Sequence, residues 1–408
     1  MKRLPVYVLL LSLCWMAASC PVDPDHATLQ SGSTAEKITL GAASLSFITS
    51  FGGTGTSKGQ FKRIGGLAAA DGRIYVTDQQ VSRIQVFDYS GKLLTSWGSG
   101  LDVATYGVNE EVLASSLEAG EDTLFQPMVL DELKARNFFR AFDAAMYRGD
   151  VLILNNLHSR AKTAQALMNP EVLEYTPEGE LVRIHDIDSL LPVSIACDEE
   201  KGNIVVGDIL NSGYEVFSLS DNAYLSGSKR TMNRDYSAYL ETVFKENTPE
   251  LRQQKSDEWM GKGTKNGEFS YIAGVAFYNG MVLAADMNNR RVQVFYEDGA
   301  FMHSIVGSGP GRETLFTTPF DITVTKNGVI YLSDQSETTP GVTAFSSSFK
   351  PLYKIVHPQL AAPGYIEVTE DGYLFVTDLS SNKVFVFGPK SKMLEAGQEA
   401  ASQAEGAE

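Results

Sequence analysis

One spacing recurs six times along this chain and limits its fold more than any other feature. Each unit has a glycine followed six residues later by Asp or Asn, and four of the units place Phe nine residues further on. The glycines are Gly72, Gly149, Gly202, Gly280, Gly328 and Gly372, and the residues six positions on are Asp78, Asn155, Asp208, Asp286, Asp334 and Asp378. A fixed period of this kind indicates one supersecondary unit repeated and packed against its neighbours.

The residues around each glycine predict strands joined by tight turns. Asp71-Gly72, Asn279-Gly280, Asn327-Gly328 and Asp371-Gly372 are pairs that favour two-residue hairpin turns, in which both central residues have positive φ. Short runs of Val, Ile, Tyr and Phe flank them, as is typical of strands. Each unit is therefore predicted to hold four strands, and six such units around an axis make an all-β, six-bladed β-propeller.

The clearest units are similar to a known repeat. The segments RIYVTDQQVSRIQVF at 73–87 and MVLAADMNNRRVQVF at 281–295 resemble the NHL repeat, which forms six-bladed propellers. The resemblance covers most of the chain after residue 37 and is weakest at 138–220. It implies that the Asp of each unit and a later basic residue order the loop between two strands, here Asp78 with Arg83, Asp286 with Arg291, and Asp378 with Lys383. Asp208 and Asp334 lack a basic residue at that offset.

The ends of the predicted ring indicate how it closes. The sixth unit runs out of apolar residues after Phe387, and residues 391–408 are rich in Ala, Glu and Gln, which predicts a disordered tail. The segment LSFITSFGG at 45–53 resembles the fourth strand of the first unit, KLLTSWGSG at 92–100. We therefore expect a propeller over 38–390 in which an N-terminal strand completes the last blade and removes two open sheet edges.

The first twenty residues have the composition of an export signal. Lys2 and Arg3 precede an apolar stretch of 13 residues, which ends in Ala17-Ala18-Ser19-Cys20. Small residues before a cysteine resemble a bacterial lipobox, so Cys20 is the predicted lipid attachment site and 21–37 the tether. Ordinary cleavage near Ser19 is the alternative. The predicted location is the cell envelope, with the protein lipid-anchored and facing the periplasm or the exterior.

Charge and cysteine content narrow the classes of partner. The formal net charge of −16 repels phosphate backbones, so we expect no nucleic-acid partner. No stretch beyond the signal is apolar enough to span a bilayer, so the membrane contact is expected through the lipid alone. Once Cys14 and Cys20 are accounted for by the signal and the lipid, Cys197 is left in the apolar run VSIAC as a small core residue, with no disulfide framework.

Two long insertions interrupt the regular spacing. They cover 100–137 and 222–266, and they fall in connections that emerge on one face of the predicted ring, while the other face keeps short turns. Tyr236, Tyr239, Leu240, Val243 and Phe244 have helical spacing, so both insertions are predicted to be mostly helical. This aromatic stripe packs on the propeller rim in one interpretation and contacts a ligand in the other. Trp259 is the predicted aromatic anchor beside the resulting groove.

The predicted ligand-binding residues lie at the start of the inner strands. Arg63, Arg140 and Tyr271 precede the turn glycines by nine residues, so we expect them near the channel mouth on the insertion-bearing face. Two arginines together favour an anion such as a carboxylate. Alternatively, each pairs with a neighbouring acid, Asp143 or Asp321. Asp143 and Asp321 are themselves predicted as ligand-binding residues of the channel. They have the chemistry of calcium ligands, but two carboxylates are too few to predict a metal site, so no metal or cofactor is expected.

These features favour binding over catalysis. The five histidines do not fall on inner strands and show no ligand spacing, and the chain has no nucleophile elbow. The predicted function is that of an envelope-anchored, monomeric binding or scaffold protein recognising a protein, peptide or glycan on the insertion-bearing face. The alternatives are a metal-assisted propeller lyase or hydrolase acting at the channel mouth, and a structural subunit of an envelope complex.

Overall fold

The computed structural model of the chain forms a ring of six four-stranded antiparallel sheets. The structure describes residues 40–41, 43–100, 140–156, 170–189, 191–209, 211–228, 251, 262–308 and 314–389. The predicted signal, Cys20, the tether and the tail lie outside this part of the chain. The sheets follow one another in chain order, and each inner strand packs between the inner strands of its two neighbours.

In blades 1 to 5 the strands run outward from the channel in sequence order. Blades 1 and 2 consist of β2 (Ile64–Ala70), β3 (Arg73–Asp78), β4 (Arg83–Asp88), β5 (Leu93–Trp97), and β6 (Ala141–Tyr147), β7 (Asp150–Asn155), β8 (Glu171–Tyr175), β9 (Leu181–Asp186). Blades 3 and 4 consist of β10 (Pro192–Asp198), β11 (Asn203–Asp208), β12 (Gly213–Ser218), β13 (Tyr224–Gly227), and β14 (Ile272–Tyr278), β15 (Met281–Asp286), β16 (Arg291–Tyr296), β17 (Phe301–Val306). Blade 5 consists of β18 (Pro319–Val324), β19 (Ile330–Asp334), β20 (Gly341–Phe345) and β21 (Pro351–Ile355).

Blade 6 is assembled from both ends of the described chain. Its three inner strands are β22 (Pro363–Val368), β23 (Leu374–Asp378) and β24 (Lys383–Pro389), and its outer strand is β1 (Leu45–Gly52). The pairing of β1 with β24 is antiparallel and runs from Leu45 opposite Pro389 to Gly52 opposite Lys383. Two segments separated by more than three hundred residues therefore share one sheet.

The second and third strands of the blades are almost wholly buried, and this explains their continuous apolar sequences. In blade 1, for example, β3 is buried from Ile74 to Asp78 and β4 from Arg83 to Phe87. A blade has a neighbour on both faces, so these strands have no water-exposed side and do not alternate apolar with polar residues. The outer strands do have exposed positions, as in β9, whose first three residues are exposed.

The turns at the glycines are of two kinds, which corrects the prediction of one kind. At Asp71-Gly72 and Asn279-Gly280 both residues have positive φ, as a two-residue hairpin turn requires. At Asn327-Gly328 and Asp371-Gly372 only the glycine does. There the glycine N–H donates to the carbonyl of Thr325 or Thr369, three residues earlier. The side chain of each threonine also accepts a hydrogen bond from the amide that follows the glycine. These bonds stabilise a longer loop that ends in a glycine of left-handed conformation.

The residue that ends each second strand organises the loop that follows. The expected ion pairs are confirmed in blades 1 and 4, where Arg83 lies 3.3 Å from Asp78 and Arg291 lies 2.8 Å from Asp286. In blade 6 the expected Lys383 partner is replaced, because Asp378 accepts hydrogen bonds from the hydroxyls of two nearby serines and from four backbone amides.

Blade 5 supplies its basic residue from an unexpected place. Lys354, on the outermost strand β21, reaches inward and places its Nζ 2.9 Å from the carboxylate of Asp334. No offset along the second and third strands could have indicated this, since the lysine comes from the fourth strand. The carboxylate that ends the second strand is therefore paired with an arginine of the third strand in blades 1 and 4, and with a lysine of the fourth strand in blade 5.

The predicted insertions lie mostly outside the described residues, and so do the helices expected in them. One boundary needs correction. The range 222–266 was predicted as an insertion, yet Tyr224–Gly227 forms β13, the outer strand of blade 3, paired with β12. Pairing with β12 satisfies the backbone of this segment, so the interruption begins only after it.

Candidate functional site

The inner strands line a channel. All six inner strands have a bulge at the same place, and this bulge determines which side chains meet in the channel. Each inner strand shifts its register against the second strand just after its first residue. The equivalent position two residues into the strand, here called the staple position, is occupied by Gly66, Asp143, Ser194, Gly274, Asp321 and Tyr365 in blades 1 to 6. Asp143 and Asp321 therefore come from opposite blades of the ring.

Tyr365 crosses the channel at this level. It starts from blade 6, and its hydroxyl donates to the carbonyl of Val193 in the opposite blade at 3.4 Å and accepts from Nε2 of Gln79 at 3.1 Å. Its ring packs edge-on against Phe320, with centroids 5.3 Å apart, and only 5% of the residue is exposed. Together with the buried Phe142 these side chains close the channel towards the insertion-bearing face.

Above this floor lies a cavity of about 1440 Å³ that opens between the short turns. Its wall is formed by the inner strands, and its mouth by the turns that connect inner and second strands. Nine carboxylate side chains line it, namely Asp71, Asp143, Asp198, Glu199, Glu200, Asp321, Glu367, Glu370 and Asp371. The lining includes two lysines, Lys201 and Lys326, and these are bound by Glu297 and Glu370. The cavity is therefore strongly acidic.

The two deepest carboxylates hold neighbouring blades together. Asp143 accepts a hydrogen bond from the amide of Ile195 in blade 3 at 2.9 Å, and Asp321 accepts one from the amide of Ile366 in blade 6, also at 2.9 Å. Glycine at the staple position of the preceding blade gives them room, since a Cβ on Gly66 would lie 2.6 Å from the Cα of Asp143. Both acids are more than nine-tenths buried.

Burial raises the pKa of both groups. The pKa of Asp143 rises to about 7 because the carboxyl is removed from water, although its amide partners favour the charged form. Burial also raises the pKa of Asp321 well above its ordinary value, and the charge of Asp143 across the channel adds to this effect. The two carboxyls thus influence each other's ionisation although they lie 178 positions apart in the sequence.

Glu367 is the acid that the sequence prediction missed. It lies next to Ile366 on β22, at a position where the other five inner strands have Ala68, Ala145, Ala196, Ala276 and Thr323. Its carboxylate accepts a hydrogen bond from Thr323 at 3.3 Å. Burial, with smaller effects from the charges of Asp143 and Glu199, raises its pKa to about 8. An alignment of the six inner strands would have revealed it as the exception among small residues.

The structure separates the residues that were predicted to form one site. Asp143 and Asp321 line the cavity, whereas its lining does not include Arg63, Arg140 or Tyr271, which precede the inner strands at the insertion-bearing end. Arg140 is 7% exposed and places its guanidinium 5.2 Å from the centre of the Phe142 ring. The carboxyls of Asp143 and Asp321 accept backbone amides of the next blade, and Trp259 lies outside the described residues.

Other chemistry is sparse in the part of the chain that the structure describes. No group of three or more His, Cys, Asp or Glu residues there is arranged to hold a metal ion. Cys197, predicted as a core residue, is a free thiol that is only partly buried and lines the cavity, where burial raises its pKa and keeps it protonated. No described segment forms a helix long and apolar enough to cross a membrane.

Comparison with known proteins supports the fold. No protein-family model and no curated protein matches the chain. Among solved structures it is similar to a protein of unknown function from Bacteroides thetaiotaomicron, with 13% identity and a TM-score of 0.52 over 84% of this chain and 75% of that one. A gluconolactonase from Xanthomonas campestris is 12% identical, with a TM-score of 0.47 over 80% of this chain and 86% of that one. Virginiamycin B lyase from Staphylococcus aureus is 10% identical, with a TM-score of 0.46 over 80% and 94%. At these identities the likeness concerns the fold alone.

Proposed function

We propose that this protein is an envelope-anchored binding protein that receives a basic segment of a peptide or protein partner in the acidic cavity. The observation that carries this proposal is the cavity itself, which is lined by nine carboxylates and lies above the level at which Tyr365 crosses the channel to Val193. A cleft lined by charges of one sign concentrates the field and raises the local concentration of ligands of opposite charge.

The dimensions suit an extended side chain. The four residues of β6 that line the cavity, Asp143 to Met146, give it a depth of roughly 10 Å along the strand. Small residues surround Glu367 and leave space beside its carboxylate. A lysine or arginine entering from the turn face would reach this group and gain a charge-assisted hydrogen bond away from bulk water.

This proposal moves the binding surface from the face where we predicted it. The insertion-bearing face, with Arg63, Arg140, Tyr271 and Trp259, stays a predicted second surface for a protein, peptide or glycan. The described residues favour the opposite face because its cavity opens between the short turns and is lined by nine carboxylates against two lysines.

Binding can be tested with a labelled oligolysine peptide and an oligoglutamate of equal length. Fluorescence anisotropy should show binding of the oligolysine alone, and added salt should weaken it. At about pH 9, where Glu367 is ionised because its pKa is about 8, Glu367→Gln should weaken binding about tenfold, since it then removes a charge from the cavity wall. Glu178→Gln is the matched control, because it removes the same charge from an exposed residue outside the cavity, paired with Arg73. Equal losses for both variants would contradict the proposed site.

The same assay addresses the alternative function. If calcium or manganese displaces the peptide and the protein then cleaves an ester, lactone or glycan, the metal-assisted hydrolase or lyase is favoured over the binding protein.

The predicted lipid anchor has its own test: Cys20→Ala should move the protein from the membrane to the soluble fraction. A protein that is soluble with Cys20 intact would contradict the lipid anchor without affecting the proposed cavity.

A further inference from the structure

Three junctions between blades use the same hydrogen bond. In each of them the side chain at the staple position of one blade accepts a hydrogen bond from a backbone N–H of the next blade. The donor is the residue that directly follows the staple position there. Asp143 accepts from Ile195 at 2.9 Å, Ser194 accepts from Val275 at 3.2 Å, and Asp321 accepts from Ile366 at 2.9 Å. These bonds, here called staples, link blade 2 to blade 3, blade 3 to blade 4, and blade 5 to blade 6.

Two of the staples are ionisable and one is neutral. The Asp143 and Asp321 carboxyls face the same closed channel from opposite sides, and Glu367 follows the amide that Asp321 holds. Three carboxyl groups in one enclosed space are costly to ionise together, because burial removes water and each charge repels the others. The serine staple has the same geometry without a charge.

The charged groups around the two staples reinforce this effect. At the mouth the acids of the turns are Asp71, Asp198, Glu199, Glu200, Glu370 and Asp371. Lys201 and Lys326 form ion pairs with Glu297 and Glu370, so the positive charges of these lysines do not compensate the deep carboxyls. On the walls, the Cys197 thiol stays protonated. Beneath the floor, Arg140 stacks on Phe142, Tyr365 spans the channel, and Arg63 and Tyr271 lie at the starts of β2 and β14.

We propose that Asp143, Asp321 and Glu367 form a pH-sensitive latch: while they are protonated, at mildly acidic pH, blades 2 and 3 and blades 5 and 6 pack closely at the staples. At mildly alkaline pH the cost of burying the ionised carboxyls and their mutual repulsion outweigh the stronger bonds that a carboxylate accepts from the staple amides, and these junctions loosen. The folded state retains protons that the unfolded chain releases, so the stabilisation is fully present below the ordinary carboxyl pKa. It is lost as the pH rises through about 7 for Asp143 and about 8 for Glu367. This inference does not depend on the proposed ligand.

The amide protons of the staples report directly on the latch. In a protein labelled with ¹⁵N-isoleucine and ¹⁵N-valine, the amide shifts of Ile195 and Ile366 should titrate between about pH 5 and about pH 9. The amide shift of Val275 should move much less, because its acceptor Ser194 is uncharged and senses the titration only through its hydrogen bond with Asp143. The serine staple is thus an internal control within the wild-type protein. Flat shifts at Ile195 and Ile366, or equal movement of all three amides, would overturn the proposal.

Thermal unfolding across the same pH range provides a second measurement. Asp143→Asn should flatten the decline of the melting temperature towards alkaline pH and abolish the titration at Ile195. Ser194→Ala should lower the melting temperature at every pH, because it removes a neutral staple, and should keep the alkaline decline, since both carboxyl staples remain; the titration at Ile195 should shift to higher pH, because the Ser194 hydroxyl lowers the pKa of Asp143. A wild-type decline that Asp143→Asn and Asp321→Asn both leave unchanged would overturn the latch. If neither variant folds, the wild-type amide titration still decides.

Discussion

Blades 3 and 6 occupy opposite positions in the ring, and their inner strands differ at two positions that shape the cavity. At the staple position blade 3 has Ser194, which bonds to its neighbour, and blade 6 has Tyr365, which crosses the channel. Two residues further on, blade 3 has Ala196 and blade 6 has Glu367. The other two pairs of opposite blades agree at the staple position, with Gly66 opposite Gly274 and Asp143 opposite Asp321.

This difference shows how a repeated frame acquires a site. Glycine and aspartate at opposite staple positions let neighbouring inner strands approach closely and bond. Residues that are the same in opposite blades therefore stabilise the contacts between neighbouring blades. The departures in blade 6 turn an open channel into a closed, charged cavity, with Tyr365 as its floor and Glu367 on its wall. Residues that break the repeat are thus better candidates for function than residues that follow it.

The largest effect should come from the composite construction of blade 6. Deleting residues 38–53 removes β1 and exposes the edge of β24 along its whole length, so we expect a protein that aggregates on expression. Deleting 391–408 removes a segment of similar length from the other end and should leave the melting temperature unchanged. Size-exclusion chromatography and thermal melting compare the two. Similar behaviour of both truncations would show that β1 is not needed to close the ring.

Removing the channel floor should have the next largest effect. Tyr365→Ala leaves a cavity and removes the bond to Val193, so we expect a loss of about 3–5 kcal/mol in unfolding free energy, measured by denaturant titration. Tyr365→Phe keeps the ring and loses only the hydroxyl, which should cost about 1 kcal/mol. Equal costs for the two variants would mean that the hydroxyl, and not the packed ring, closes the channel.

Exchanging the residues that follow the staples should alter the pH dependence of stability. Glu367→Ala gives blade 6 the residue of blade 3 and removes a carboxyl with a raised pKa, so the variant should gain about 2 kcal/mol over wild type as the pH rises from about 5 to about 8. Ala196→Glu places a carboxylate in blade 3 and should lose stability over the same range. Parallel pH profiles for all three proteins would contradict this assignment.

The smallest effect should come from the neutral staple of blade 3. Ser194→Ala leaves the amide of Val275 without its side-chain acceptor and should cost about 1 kcal/mol at about pH 5, where Asp143 is protonated, and somewhat more at alkaline pH, where the Ser194 hydroxyl also stabilises the ionised Asp143. Hydrogen exchange at Val275 should become faster, while Ile195 and Ile366 keep their protection. Faster exchange at all three amides would mean that the staples act as one cooperative unit.

Much of the fold could be predicted because its determinants are local. The spacing from Gly72 to Asp78, repeated five times, marks where each second strand begins and ends, since a strand and its turn are specified by neighbouring residues. The ion pairs of Asp78 with Arg83 and Asp286 with Arg291 were predictable for the same reason. Lys354 was not, because it reaches Asp334 from another strand.

The candidate site could be predicted only in part. Asp143 and Asp321 were identified as channel residues, but as partners of Arg63 and Arg140 or of a cation, and the structure shows them bonded to backbone amides. The floor made by Tyr365 depends on Val193 and Gln79, which lie in other blades. No pattern along one strand indicates such a contact.

The sequence by itself therefore determined the six repeated units, their turns and their strands, because hydrogen-bonded hairpins depend on residues a few positions apart. Only the tertiary structure decided which face holds the described cavity and which side chains meet in it. Closing the ring brings together Asp143, Asp321 and Glu367, which are far apart in sequence, and the bulge at the start of each inner strand sets the level at which they meet. Their raised pKa values follow from that enclosure, which exists only in the folded ring.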